Sequence, residues 1–285
     1  MRAFVVTVSE LDVEAASDVL WQLGVRAIEE RRVAAPDGIE LWTAVGDEPE
    51  AIERAVTALG DCWPHRVVEV VDVAADTWRD FAAPIWVSDD LVIVPAWLDE
   101  TDVAADSTVV RIEPGGAFGL GDHPTTLLSL QALDRLVASD TDVLDVGCGT
   151  GVIAVTAALL QDRPVRAIDI ASAAVEATID NAERNGVSNR VVVDTADLAQ
   201  IDDRYDLVVA NILAPVLVAL ADDLRRVTRP GGRLVISGIL ADAHQHVLDA
   251  LAPMEVVRSD ELDGWACVEL RWPNASRTRR RAGSG

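Results

Sequence analysis

The stretch Val143–Gly151, VLDVGCGTG, decides how the larger part of this chain is read. A short apolar strand runs into a turn with glycines at 147, 149 and 151, and a helical pattern starts directly after it. Glycine tolerates positive φ and lets a ligand come close to the backbone. A dinucleotide fingerprint needs G-x-G-x-x-G, and its third glycine would fall on Val152, so the spacing is a different one. Asp145 sets a carboxylate just ahead of the loop. That charge would repel a pyrophosphate and suits a positively charged ligand end.

Outward from the loop, DVLDVGC, PVRAIDI, RVVVDTAD, YDLVVANIL and GRLVISGIL are near-continuous apolar runs, the pattern of parallel strands buried on both faces. Helical patterns lie between them, including ASAAVEATIDNAERNG and VLVALADDLRRVTRPGG. A helix over 242–251 precedes MEVVRSDELD and WACVELRW, expected as an antiparallel pair at one sheet edge. The class is α/β, a doubly wound sheet. Ahead of it, AFVVTVS, DVEAASDVLWQLG, VRAIEERRV, IELWTAV, EPEAIERAVTALG and PHRVVEVVDV follow the order βαββαβ, a small ferredoxin-like α+β domain. A short helix around Trp78 to Phe81 is expected to join the halves, followed by a strand ending at Pro95 to Trp97. Trp78, Trp86 and Trp97 are a core cluster or aromatic lining for a ligand, and the core is expected because Trp is chiefly a large buried surface. The domain boundaries are 1–72 for the ferredoxin-like domain, 73–100 for linker helix and lead-in strand, 101–272 for the doubly wound domain, and 273–285 for a disordered Arg-rich tail.

Composition narrows the class further. Among 285 residues no apolar run reaches the length of a membrane span, and the start MRAFVVTVSELD meets acidic residues too soon for a signal peptide. Three scattered cysteines make no disulfide framework and no metal-ligand spacing, so a reducing cytoplasm is expected and no metal is assigned. The formal net charge is −24, and every basic residue is Arg. Such a balance keeps a protein in solution, attracts a basic partner and opposes direct nucleic-acid binding, which needs clustered positive charge. A monomer is expected.

With that frame, the G-x-G-x-G spacing behind Asp145 looks like the S-adenosylmethionine (AdoMet) loop of Rossmann-like methyltransferases. Gly147 and Gly149 would bring the backbone to the ligand, and Asp145 would face the methionine ammonium. Asp169, at the tip of the next strand, is placed to take both ribose hydroxyls. Asp197 and Leu198, after the third strand, are similarly placed for the adenine. Asn211 is the one polar side chain in VVANIL; it caps the next helix or accepts a hydrogen bond from a substrate amine. The glycine-rich stretch EPGGAFGLGDHPTT, Glu113–Thr126, precedes the helix ahead of the loop strand and is expected to fold over the ligand. Phe118 would cover it, Gly119 and Gly121 would permit close approach, and Thr125 or Thr126 would bond its methionine end or start the helix. His123 is either a structural hydrogen-bonder or a catalytic group.

DTWRDF, LVIVPAW, PGGAFGLGDHPTT, VLDVGCGTGVIAV, ANILAPVL and SGIL occur together in this order, and with them the chain closely resembles the ribosomal protein L-eleven methyltransferases, the PrmA family. The resemblance implies a small substrate-recognition domain, a linker and an AdoMet domain, with Phe118, Thr126, Asp145, Gly147, Asp169 and Asn211 at the cofactor. It implies a basic ribosomal protein as substrate, methylated on lysine ε-amines and/or its N-terminal α-amine, with S-adenosyl-L-homocysteine as product. Leu120 stands where the family usually has Thr, and Pro215 comes one position early. A methyltransferase acting on another protein or on a small-molecule amine stays open, as does an AdoMet-binding module without turnover.

Overall fold

A computed structural model of the chain describes residues 2–9, 12–22, 25, 28–33, 38–43, 55–57, 59–60, 62–69, 82–98, 106–114 and 119–273. The chain forms two compact units, Met1–Ala82 and Ala83–Gly285. The expected joining helix at Trp78 to Phe81 and all of the tail beyond Pro273 lie outside the described residues.

The first unit runs β1 (Arg2–Ser9), α1 (Val13–Gln22), β2 (Ile28–Val33), β3 (Gly38–Thr43) and β4 (His65–Glu69). Its four strands are ordered β2-β3-β1-β4 and all pair antiparallel, the order of the ferredoxin-like unit. Alternation along β3 sends Ile39 and Leu41 inward, where they meet Phe4, Val6 and Leu20. On the opposite face Trp42 carries the Arg31 guanidinium 4.1 Å from its ring centre.

In the second unit, β5 (Ile85–Trp86), β6 (Leu91–Pro95) and β7 (Thr108–Ile112) make a three-stranded sheet. β6 is the lead-in strand expected to end at Pro95 to Trp97, and β5 falls in the same 73–100 segment. Of the expected tryptophan cluster, Trp97 packs against the core but Trp86 is 44 % exposed, because β5 is a two-residue edge strand. The main sheet has seven strands: β8 (Val143–Val146), β9 (Val165–Ile168), β10 (Val191–Asp194), β11 (Tyr205–Asn211), β12 (Thr228–Leu240), β13 (Glu255–Leu262) and β14 (Trp265–Arg271). Their order is β10-β9-β8-β11-β12-β14-β13, parallel from β10 through β12, with the expected antiparallel pair β13–β14 closing one edge. Winding reverses between β8 and β11, and the crevice at the carboxyl ends of those strands is where such sheets bind ligands.

Helices cover both faces: α2 (Pro124–Leu136), α3 (Val152–Leu160), α4 (Ser172–Arg184), α5 (Ala214–Ala219), α6 (Ala221–Val227) and α7 (Gln245–Ala250). The single helix expected over VLVALADDLRRV is instead α5 and α6, separated where Leu220 leaves helical ψ at φ −93, ψ 4. Strand alternation sorts two cores. Leu144, Val146, Val208, Ala210, Leu234 and Ile236 pack with Leu217, Leu224 and Val247 on one face. Val143, Leu207, Val209 and Val235 pack with Leu128, Leu133 and Val155 on the other. By the same alternation Asp145, Asn211 and Ser237 fall on the second face, toward α2 and α3. Among the described residues no helix is long and apolar enough to cross a membrane.

Two asparagines one helical turn apart, Asn181 on α4 and Asn185 at its C-cap, satisfy the backbone where β7 ends. Asn185 Oδ1 accepts from the Arg111 N–H at 2.8 Å and its Nδ2 donates to the Arg111 carbonyl at 2.7 Å. Asn181 repeats this on Glu113, accepting at 2.9 Å and donating at 2.9 Å, and donates to the Thr150 carbonyl at 3.0 Å. One fully buried amide thus ties the start of the glycine-rich stretch to the Gly loop. Its loss leaves buried backbone groups without partners, at about 1–3 kcal/mol for an orphaned group. Asn181→Ala is expected to lower the unfolding free energy by at least that amount in urea titrations. A change within about 0.5 kcal/mol, ordinary for a surface substitution, would contradict this role.

Candidate functional site

The site is built where β8 and β11 end. The loop after β8 keeps Gly147, Gly149 and Gly151 at φ of 76, 56 and 78°, which explains the glycines directly. The Gly147 N–H donates to the Ile168 carbonyl at 2.9 Å, and that of Cys148 to the same oxygen at 3.1 Å, so the loop bends back over the end of β9. Cys148 is buried against Thr178 Oγ1, and burial pushes its thiol well above the ordinary range. It is an inert packing group.

Asp145 is 0 % exposed. Its Oδ2 accepts from the Ala154 N–H in the first turn of α3 at 3.1 Å, while its Oδ1 is buried with no partner. Burial raises its pKa from 3.8 to about 7; the Ala154 N–H opposes the rise and the Asp169 charge adds to it. Asp169, just past β9, accepts from the Gly149 N–H at 3.0 Å through Oδ2 and from the Ala171 N–H at 2.9 Å through Oδ1. Each oxygen keeps a lone pair for a further donor. The structure therefore brings Asp145, Gly147, Gly149 and Asp169 together around one loop. Asp197 stands differently: it is exposed and caps a single 3-10 turn, accepting from the Ala199 N–H at 3.0 Å, and Leu198 is buried in the core.

Asn211 closes β11 and donates from Nδ2 to Thr126 Oγ1 at 3.3 Å. The cap expected as one of its two roles is not its part, since the N-cap of α5 is Leu213. Thr126 is buried in the first turn of α2. His123 is that helix's N-cap, its Nδ1 accepting from the Thr125 N–H at 3.3 Å and lying 2.8 Å from Thr125 Oγ1. Burial lowers its pKa, and Asp122 opposes this less strongly, a direction that favours the neutral ring a capping acceptor requires. Of its two sequence alternatives, the structure assigns His123 to capping. Phe118 lies outside the described residues.

Several contributors carried little or no sequence signal. Thr150 Oγ1 donates to the Gly119 carbonyl at 2.5 Å and pins the glycine-rich stretch to the loop. Ile170, beside Asp169, is 98 % exposed at the carboxyl edge of the sheet. An apolar residue next to the strand-tip acid was the available hint for Ile170; for Thr150 only its place between two loop glycines was.

A family model described as ribosomal protein L11 methyltransferase (PrmA) matches residues 66–272. The ribosomal protein L11 methyltransferase of Citrifermentans bemidjiense is 40 % identical over 205 residues, covering 70 % of this chain and 67 % of that protein. This chain belongs to the ribosomal protein L11 methyltransferase family. The family member from an Exiguobacterium species is 39 % identical over 197 residues, spanning 68 % of this chain and 63 % of the relative's length. A crystal structure of ribosomal protein L11 methylase from Lactobacillus delbrueckii subsp. bulgaricus superposes with a TM-score of 0.63 at 31 % identity, covering 68 % of this chain and all of that one. Leu120 is 9 % exposed and belongs to the core cluster that includes Leu128 and Leu130 of α2. Pro215 sits in the first turn of α5, where its missing N–H costs nothing.

Asp145 sets a pH dependence. Its folded pKa of about 7 lies above the unfolded 3.8, so the folded state holds the proton longer. Its stabilising share is therefore largest in acid, falls as pH rises between those values, and is level above them. Asp145→Asn is expected to flatten this part of the slope and to make the ligand-free protein more stable than the parent at pH 8. Urea titrations of both proteins at pH 5 and pH 8 check this; parallel slopes would refute it.

Proposed function

We propose that this chain is an AdoMet-dependent protein N-methyltransferase that modifies lysine ε-amines and/or the N-terminal α-amine of ribosomal protein L11. The observation that carries the cofactor reading is the unpartnered, buried Oδ1 of Asp145 beside the Gly loop. A buried acceptor without a donor is costly, and the ammonium at the methionine end of AdoMet is a cationic donor suited to it. Asp169 and the exposed face of Ile170 fit the ribose and adenine in the same way, one by remaining lone pairs and the other by apolar contact. AdoMet, when bound, supplies an electrophilic methyl on its sulfonium sulfur.

The chain's own residues then have to deliver a neutral amine in line with that methyl. A lysine amine has a pKa near ~10.4 and arrives protonated at neutral pH. Apolar surroundings disfavour the charged form, and Leu213, 50 % exposed beside the end of β11, offers such surface. Because Nδ2 of Asn211 is engaged by Thr126, its amide oxygen is left to accept an N–H of the amine and aim the nitrogen lone pair. Alignment supplies the rate, and no side-chain base is assigned. The ferredoxin-like unit serves substrate recognition, the charge of −24 complements a basic ribosomal protein, and the protein acts in the cytoplasm as a monomer without binding nucleic acid directly.

Incubation with AdoMet and ribosomal protein L11, read by intact mass, is expected to add whole methyl increments to L11. Increments on a different protein or a small amine would move the substrate. AdoMet binding by calorimetry with no transfer to any acceptor would leave a binding module. Asn211→Ala is expected to lower kcat by about 10²-fold, the scale for loss of one positioned hydrogen-bonding group, with AdoMet affinity within about threefold of the parent. Unchanged turnover in that variant would remove Asn211 from the reaction.

A further inference from the structure

The motif SGIL, Ser237–Leu240, is characteristic in the sequence, yet none of its residues enters the cofactor or acceptor roles above. It occupies the end of β12, beside the end of β11, and Ser237 is the register partner of Asn211. We infer that Ser237 and Gly238 are positioning residues that hold the Asn211 amide at the acceptor end of the site. This rests on the proposed role of Asn211 and adds how its geometry is set.

Ser237 acts through α2. It is fully buried, and its hydroxyl lies 3.2 Å from the Thr125 carbonyl and 3.1 Å from the Ala266 carbonyl, sharing one proton between them. The Thr125 carbonyl also receives the Ser129 hydroxyl at 2.7 Å. The next residue, Thr126, presents the hydroxyl that accepts from Asn211. Ser237 therefore anchors the turn that orients the amide, from the strand directly beside Asn211.

Gly238 acts through Ile212. It has φ +82 and lies where the β12–β14 register shifts between Ile236 and Ile239. A Cβ at this position would stand 2.5 Å from the Ile212 carbonyl oxygen, 2.8 Å from its carbon and 3.2 Å from its nitrogen. These are backbone atoms and cannot swing aside as a side chain would. On its other side Ile212 reaches the Gly loop, where a Cβ at Gly147 would overlap its Cγ2. The residue after Asn211 is thus keyed between Gly147 in the loop after β8 and Gly238 on β12, and the direction in which the chain leaves β11 follows from that fit.

Gly238 touches the residue after Asn211, and Ser237 touches the turn before Thr126, whereas the Asp145 and Asp169 contacts lie on β8 and beyond β9. Perturbing Ser237 should therefore misplace the amide and spare cofactor affinity, whereas Gly238, through Ile212, also bears on the Gly loop. Displacements near one ångström at a reacting group cost up to about a hundredfold in rate. Ser237→Ala and Gly238→Ala in the full chain are to be assayed with AdoMet and ribosomal protein L11, alongside the parent and Asn211→Ala. Expected are kcat lowered about tenfold or more in both variants and, for Ser237→Ala, an AdoMet dissociation constant within about threefold of the parent. Should Gly238→Ala fail to fold, Ser237→Ala carries the same comparison. With Asn211→Ala impaired, a kcat within twofold of the parent in either variant, or AdoMet affinity lost in step with kcat in Ser237→Ala, overturns the positioning role alone. A fully active Asn211→Ala instead removes the reading on which it rests, and the positioning role falls with it.

Discussion

A carboxylate in an aliphatic layer organises the second unit of this protein. Asp145 occupies a strand position whose neighbours on the same face are Val143, Val209 and Val235, and it is as buried as they are. Water is replaced there by a single backbone donor from the first turn of α3. That bond joins the strand to the helix across the Gly loop, and the loop's glycines take up the left-handed conformations the short connection demands. The remaining oxygen is left with chemistry still to do. With no donor beside it, that oxygen disfavours the ionised carboxylate, and a cationic donor placed there would offset the cost.

The second half of the site is held by cross-bracing between elements far apart in sequence. Asn211 reaches Thr126, Ser237 reaches the neighbouring carbonyl, Thr150 reaches Gly119, and Asn181 reaches both Glu113 and Thr150. Each link is a hydroxyl or primary amide that satisfies a main-chain or side-chain group at the carboxyl end of the sheet. Such groups sit poorly inside regular elements and well at their ends, where backbone partners are spare. The glycine-rich stretch is thus anchored at the described parts of both flanks, by Asn181 at Glu113 and by Thr150 at Gly119.

Much of the fold was legible because it rests on periodicity and punctuation. The doubly buried strands, the Gly loop, the antiparallel pair at the sheet edge and the four strands and first helix of the first unit all follow from local apolar patterns and turn residues. Where local pattern was a poor guide, tertiary packing had overridden it. The apolar run after Asn211 has no glycine inside it to announce the break at Leu220, and Trp86 has the composition of a core residue but lies on a two-residue edge strand. The site divides along the same line. The placement of Asp145 and Asp169 around the Gly loop was readable because it depends on where they sit along, or just past, single strands. His123 was not: a ring beside a proline caps a helix or does chemistry, and only the Thr125 donors decide between them.

By itself the sequence determined the two-unit α/β organisation, the strand that carries the loop, the acid that precedes it and the family to which the chain belongs, since these reside in residue order and spacing. The tertiary structure alone decided which polar groups meet. It paired Asn211 with Thr126, gave Ile212 its slot between Gly147 and Gly238, moved Leu120 into the core and left one oxygen of Asp145 without a donor. The physical reason is that hydrogen bonds and steric fit act over a few ångströms in space. Residues brought within that range come from strands and helices whose separation along the chain carries no record of the contact.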